Sequence, residues 1–300
     1  MRRSLLPLLF LLFLISCQAP LWTLPSEFDA SKVGTTEYDV TYCQPNGQPL
    51  KLDVYYPSQV RRGWSAVVFA HGGSWSAGDK SMLTFVDVNK MRQSGILLVS
   101  VDYRLAPEYQ FPAMIEDVKC AVRYLRAHAG EYNLDPERIG AMGGSAGGHL
   151  AALLGVTDPS AGFEVGEYLE YSSRVRAVIS ISGLSDLTPP FTAKLFFDRM
   201  SIFGTTKQSD PIFRQASPVK HITVDDPPFL IIHGEQDETV PINQSDILFR
   251  ELQAAGLEAE FIRVKNADHS YESVGDAPIS PSASEIVNSI MKFWEKNLVK

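Results

Sequence analysis

Ile139-Gly140-Ala141-Met142-Gly143-Gly144-Ser145-Ala146-Gly147-Gly148-His149-Leu150-Ala151-Ala152-Leu153-Leu154 reads as a short apolar strand, a glycine-hedged serine and the first turns of a buried helix. A serine in so tight a strand-to-helix turn needs small residues two positions to either side, because the flanking backbones nearly touch. Gly143 and Gly147 occupy those positions. The turn lifts the Ser145 hydroxyl clear of the sheet and sets the Ala146 N–H at a helix N-terminus, where it can donate to a developing oxyanion. The competing reading is a glycine-rich turn in which the serine only caps the helix, and the pattern alone does not separate the two.

A second glycine motif supplies context. His71-Gly72-Gly73-Ser74-Trp75 follows the strand-like run Ser65-Ala66-Val67-Val68-Phe69-Ala70. Residues without bulk after an early strand let backbone N–H groups approach a substrate carbonyl. Gly73 is the firmest donor, with Gly72 and Ser74 both open as its neighbour. His71 belongs to the same loop, and Trp75 either walls a substrate pocket or covers the end of the sheet. Either loop alone reads as an ordinary turn; both in this order, roughly seventy residues apart, point to acyl chemistry.

A serine hydroxyl needs a base, normally a histidine oriented by a carboxylate. His269 lies in the polar loop Asn266-Ala267-Asp268-His269-Ser270-Tyr271, just past the strand-like run Ala259 to Val264. The other histidines fit other roles: His149 packs one turn after Ser145, His128 ends a helix at the surface, His221 lies in a connection, and His233 closes a strand. One strand before His269, Gly234-Glu235-Gln236-Asp237-Glu238 offers the carboxylate. Asp237 lies farthest along the loop before Val240-Pro241, ahead of Glu235 and Glu238, while Asp268 is too near in sequence to reach round its neighbour. Asp237 also fits a helix N-cap.

These runs, with Gly78-Asp79-Lys80, Asp102-Tyr103-Arg104-Leu105-Ala106-Pro107-Glu108, Phe111-Pro112-Ala113 and His233-Gly234-Glu235-Gln236-Asp237, resemble the carboxylesterases related to hormone-sensitive lipase. Within them the chain is most similar to the group described as bifunctional feruloyl and acetyl-xylan esterases. The resemblance runs from about Tyr38 to the C-terminus. It implies an α/β-hydrolase fold, no cofactor and hydrolysis of short-chain acyl esters. Carried onto this sequence, it makes Ser145 the nucleophile, Asp237 the acid, His269 the base, and Gly72 and Gly73 with Ala146 the oxyanion hole. Ser74 departs from the third glycine of many relatives, which keeps the N–H and narrows the alcohol side. Asp102 and Arg104 are expected to pair locally, and Asp117 to brace neighbouring loops.

At the N-terminus, Arg2 and Arg3 precede the apolar stretch Leu5 to Ile15, too short to span a bilayer and flanked as a secretory signal is. Leu14-Ile15-Ser16-Cys17 resembles a bacterial lipobox, which predicts a signal peptide over residues 1–16, acylation of Cys17 and a lipid-anchored tether over residues 17–34. Three acyl chains, at about 0.8 kcal/mol per buried methylene, anchor a protein firmly. Gln18 after the cysteine points to the outer membrane if the source is Gram-negative. The expected location is therefore exported, on the periplasmic side or cell surface, with the bilayer as a partner.

Removing the two leader arginines from 27 basic residues leaves 25 against 35 acidic ones, a net charge of −10, which disfavours nucleic acid and anionic membrane surfaces as partners. Cys43, on a strand, and Cys120, inside a helix, read as buried free thiols. No metal-ligand spacing occurs. The hairpin signal Pro45-Asn46-Gly47 joins two opening strands, after which strands and helices alternate. That alternation predicts a doubly wound, mostly parallel eight-stranded sheet over residues 35–300. The one long irregular connection, residues 183–227, carries Phe191, Phe196, Phe197, Phe203 and Phe213 and reads as a small cap over the substrate. The expected substrates are small esters or acetylated glycans. An amidase, peptidase or arylformamidase is the alternative on the same scaffold, and a noncatalytic binding module the alternative outside enzymes.

Overall fold

The computed structural model describes residues 25–188, 199–207 and 209–299. The expected signal peptide, Cys17, and Phe191, Phe196 and Phe197 of the expected cap lie outside the described residues. Eight strands form one sheet: β1 (Thr36–Cys43), β2 (Leu50–Tyr55), β3 (Trp64–Ala70), β4 (Ile96–Val101), β5 (Leu134–Gly144), β6 (Val178–Ile181), β7 (Phe229–Gly234) and β8 (Ala259–Val264). Their order is β1-β2-β4-β3-β5-β6-β7-β8. β2 runs antiparallel to β1 and to β4, and every later neighbouring pair is parallel. The helices are α1 (Val88–Gln93), α2 (Ala113–Ala127), α3 (Ala146–Val156), α4 (Arg199–Phe203), α5 (Pro211–Gln215), α6 (Asn243–Ala254) and α7 (Ala283–Trp294). This is the doubly wound, mostly parallel sheet expected from the alternation, in the α/β-hydrolase arrangement the resemblance implies.

The central strands are buried on both faces, as parallel strands between helices must be. Ala66, Val68, Leu97, Val99, Phe229 and Ile231 pack on one side with Ile115, Val122, Leu150 and Leu248 of α2, α3 and α6. The alternate residues Val67, Phe69, Leu98, Leu230 and Ile232 pack on the other with Met91 of α1 and Ile286, Ile290 and Trp294 of α7. Crossovers of this kind gather the strands' carboxyl ends, with the loops after β3, β5, β7 and β8, at one edge of the sheet.

Several expectations need correction. Cys43 and Cys120 are not free thiols: they form a disulfide between the end of β1 and α2, with Cα atoms 6.5 Å apart. Arg104 does not pair with Asp102; its guanidinium turns to the carboxylate on α2. Arg104 instead bonds both carboxylate oxygens of Asp117, with Nη2 2.8 Å from Oδ1 and Nε 2.9 Å from Oδ2, while the Arg104 N–H donates to Oδ2. Asp117 thus braces the loop after β4, as anticipated, and Asp102 accepts from the Lys80 N–H at 2.8 Å. His128 is half-buried, its Nδ1–H donating to the Tyr124 carbonyl. Packing onto the domain also extends before Thr35, since Phe28 is buried with its ring edge-on to Trp64 at 5.1 Å. Phe203 and Phe213 turn inward, 5.2 Å from each other.

Two buried cations tie α2 to the connection after α3. Lys119 and Arg123 both pair with Glu164, and Lys119 Nζ also donates to the Thr157 carbonyl at 3.0 Å. Burial pulls the Lys119 ammonium down from its usual value, and the Glu164 carboxylate opposes that shift.

Candidate active site

Between residues 139 and 157 only Ser145 reaches solvent. It holds φ 54° and ψ −119° between β5 and α3, and its side chain makes no capping bond to the helix. The hydroxyl is therefore not a helix cap. A Cβ on Gly147 would lie 2.0 Å from the Ala70 carbonyl oxygen, and one on Gly143 would lie 2.3 Å from the Gly147 oxygen. Contacts that short exclude any side chain at either position, which is the physical content of the glycine hedge.

His269 Nε2 lies 3.1 Å from Ser145 Oγ, and His269 Nδ1 lies 2.7 Å from Asp237 Oδ2. A carboxylate only accepts, so Nδ1 carries the proton and Nε2 is left to accept from the serine hydroxyl. Asp237 is the carboxylate the structure brings to His269. Glu238 is exposed and Glu235 half-buried, neither of them bonded to His269. Asp268 braces its own loop by accepting from the Ser270 and Glu272 N–H groups. Asp237 is not a helix N-cap, since α6 begins only at Asn243 behind Ile242; its other oxygen closes the turn after β7, Oδ1 accepting from the Thr239 and Val240 N–H groups at 2.9 and 2.8 Å. Burial pushes the Asp237 carboxyl up, but hydrogen bonds from His233 and His269 outweigh it and hold the group well below the usual carboxylate range.

His233 and Tyr271 were not singled out from the sequence as supports of this line. His233 Nε2 lies 2.8 Å from the Val240 carbonyl and 3.1 Å from Asp237 Oδ2, while Nδ1 lies 2.7 Å from Ser245 Oγ. The carbonyl fixes the proton on Nε2, so Nδ1 accepts from the serine and the ring donates to the acid. The Tyr271 hydroxyl donates to the Ile232 carbonyl at 3.1 Å and accepts from Ser182 Oγ at 2.9 Å, which fastens the His269 loop to the ends of β6 and β7. The spacing of His233 four residues before Asp237 was the available signal.

Opposite the serine, the loop after β3 presents Gly72, Gly73 and Ser74, all partly exposed. A Cβ on Gly72 would sit 3.5 Å from Ser145 Cβ, so this loop abuts the nucleophile position directly. His71 is fully buried and stacks on Tyr103 at 4.2 Å, so it supports the loop from behind and does not line a pocket. Its Nδ1 lies 2.6 Å from the Gly72 carbonyl and donates to it. In a trans peptide the next N–H points opposite to that carbonyl, which turns the Gly73 N–H away from His71. Ser74 and Trp75 both have positive φ, 50° and 56°. Each such residue costs about 1–3 kcal/mol and persists only where its surroundings hold it. Trp75 is buried, its ring edge-on to His149 at 5.0 Å and 6.0 Å from Phe203. Ala146 is buried and opens α3, where the first N–H groups lack intrahelical acceptors.

A buried acid, an oriented imidazole, a partly exposed hydroxyl and converging backbone N–H groups are the parts acyl transfer needs. Among the described residues no cluster of side chains could hold a metal ion, and no helix is long and apolar enough to cross a membrane.

A family model described as BD-FAE matches residues 52–252. The chain is 32% identical to esterase LipC of Mycobacterium tuberculosis over 73% of its own length and 56% of that protein's. It thus spans little more than half of that curated relative. Among solved structures, it resembles a truncated carbohydrate esterase from gut microbiota with TM-score 0.74 and 27% identity, covering 91% of this chain and 99% of that one. It also resembles a thermophilic esterase from Thermogutta terrifontis with butyrate bound, at TM-score 0.69 and 26% identity over 87% of this chain and 93% of that one.

Proposed function

The chain belongs to the BD-FAE family, and from that premise we propose that it is an exported, lipid-anchored serine carboxylesterase acting on short-chain acyl esters, acetylated glycans among them. The observation that carries the reading is the unbroken line from Ser145 Oγ through His269 to Asp237, ending on the one partly exposed residue of an otherwise buried elbow.

In the first half-reaction His269 Nε2 takes the hydroxyl proton as Ser145 Oγ attacks the ester carbonyl. Asp237 keeps the imidazole in the Nδ1–H tautomer and stabilises the imidazolium that forms. The Ala146 N–H, with those of Gly73 and of Gly72 or Ser74, receives the oxyanion, and its preorganised donors need no rearrangement as charge develops. His269 Nε2–H then protonates the leaving alkoxide, the C–O bond breaks and an acyl-serine remains. A water molecule repeats the sequence, losing its proton to Nε2, and the acid departs as Ser145 is reprotonated.

Short acyl groups are favoured because Phe203 and Phe213 of the connection pack inward on each other and on Trp75, leaving little apolar material to sheath a fatty chain, and the neighbour with butyrate bound supports that choice. The carbohydrate esterase neighbour supports a glycan alcohol. Export draws support from the Cys43–Cys120 disulfide, since such bonds persist in oxidising compartments.

The test is hydrolysis of chromogenic acetate, butyrate and palmitate esters beside a matched anilide, by the wild type and Ser145→Ala. Ser145-dependent turnover that falls from butyrate to palmitate and exceeds that of the anilide is expected. Faster palmitate turnover would revive a lipase reading, and faster anilide cleavage an amidase. For the anchor, native protein should partition into detergent with an acylated Cys17, and recovery wholly in the soluble fraction would refute it.

A further inference from the structure

His149 joins three parts of the site that are remote in sequence. The Trp75 Nε1–H donates to His149 Nδ1 at 3.2 Å, and His149 Nε2 lies 2.7 Å from the Ala216 carbonyl. An indole nitrogen only donates and a carbonyl only accepts, so the proton sits on Nε2 and Nδ1 is bare. The ring is fully buried. It stands one turn after Ser145 on α3, Trp75 follows directly on Gly72-Gly73-Ser74, and Ala216 closes α5. The same indole touches Phe203 of α4 edge-on at 6.0 Å. The loop that His149 grips holds, alone among the described residues, two consecutive non-glycine positions at positive φ, a conformation that needs an external hold.

We propose that His149 is a positioning residue that registers the loop bearing the oxyanion donors against the Ser145 helix through Trp75, and holds the cap segment through Ala216. This rests on the esterase reading above. The two ring nitrogens make separable demands. Loss of the Nδ1 acceptor releases the loop and so weakens transition-state stabilisation, which is read in kcat. Loss of the Nε2 donor frees the α5 end of the connection expected to cap the substrate, and is read in KM.

Two amide substitutions separate them. His149→Asn sets an amide oxygen near the Nδ1 position and keeps an acceptor for Trp75, whereas His149→Gln carries its amide nitrogen out to the Nε2 position and keeps a donor for Ala216. On a butyrate ester, His149→Gln should lower kcat about 100-fold with KM little changed, the scale of one misplaced oxyanion donor. His149→Asn should keep kcat within about threefold of wild type and raise KM. Trp75→Phe removes the indole N–H together with part of the ring area packed on His149 and Phe203, and should show at least the kcat loss of His149→Gln, with no further loss when the two are combined. Wild-type turnover abolished by Ser145→Ala is measured first, so failure of the esterase reading is recognised separately. A kcat for His149→Gln at least tenfold below that of His149→Asn supports the proposal, and any smaller gap overturns it. If either amide variant fails to fold, Trp75→Phe decides alone: a kcat within threefold of wild type overturns the proposal, and a larger loss at constant KM supports it.

Discussion

Replacing both Cys43 and Cys120 by alanine removes a cross-link that closes a loop of 77 residues. The chain-entropy relation for a loop of that length gives about 4.5 kcal/mol at 25 °C. With an unfolding entropy of about 2.1 cal/mol/K per residue over the 264 described residues, that loss lowers Tm by about 8 °C. Activity at 25 °C should stay within about twofold of wild type, because α2 remains fastened to the loop after β4 by the Arg104–Asp117 pair. Differential scanning calorimetry of wild type, double variant and reduced wild type reads the first quantity, and initial rates on an acetate ester the second. Thiol titration in denaturant should find two fewer thiols before reduction than after. A double variant melting within 2 °C of wild type, or equal thiol counts before and after reduction, would refute the cross-link and its loop-entropy effect.

Asp237→Asn should lower kcat about 10⁴-fold by disturbing the histidine tautomer, while Glu235→Gln and Glu238→Gln leave it unchanged; the reverse pattern in steady-state rates would move the acid elsewhere. Burial lowers His149 from 6.5 to about 4, so the unfolded chain protonates first on acidification. Its contribution is complete above pH 6.5, shrinks as pH falls, and is gone below pH 4, costing about 3 kcal/mol across that window. Urea titrations at pH 7.5 and 4.5 should show this slope in wild type and its reduction in His149→Asn. Glu164→Ala leaves Lys119 and Arg123 buried without their shared carboxylate and should destabilise by about 3–5 kcal/mol, read from the urea midpoint. A chain truncated at Thr35 loses Phe28 and should be about 2–3 kcal/mol less stable than one beginning at Pro25.

Local pattern carried much of this molecule. The strand–glycine–serine–glycine–helix run could be read because its constraints act between residues two to five apart, and strand alternation disclosed a two-faced sheet. Cys43 and Cys120 escaped because each sits in a different element, and the packing of β1 on α2 is decided by neither neighbourhood. Arg104 was assigned a carboxylate two residues away, yet its partner Asp117 lies on the next helix, a contact that only the packing of α2 on the loop after β4 creates. Lys119 and Arg123 look like the polar face of an amphipathic helix until the segment bearing Glu164 covers them. Residues around the site were assigned by their position on a strand or loop. The second role of His233, as a donor to Asp237, depends on a side-chain bond that no periodicity encodes.

Every residue of α3 is buried. A helix with no solvent face has no low-cost fraying route, so its amides should exchange with deuterium only when the whole domain opens. The reactive serine, fixed at the head of that helix, then serves as a gauge of global integrity. Covalent labelling of Ser145 by an organophosphorus probe during heating should decline along the same curve as tertiary circular dichroism, so residual labelling would measure the folded fraction in mixtures where no spectroscopic signal can be isolated.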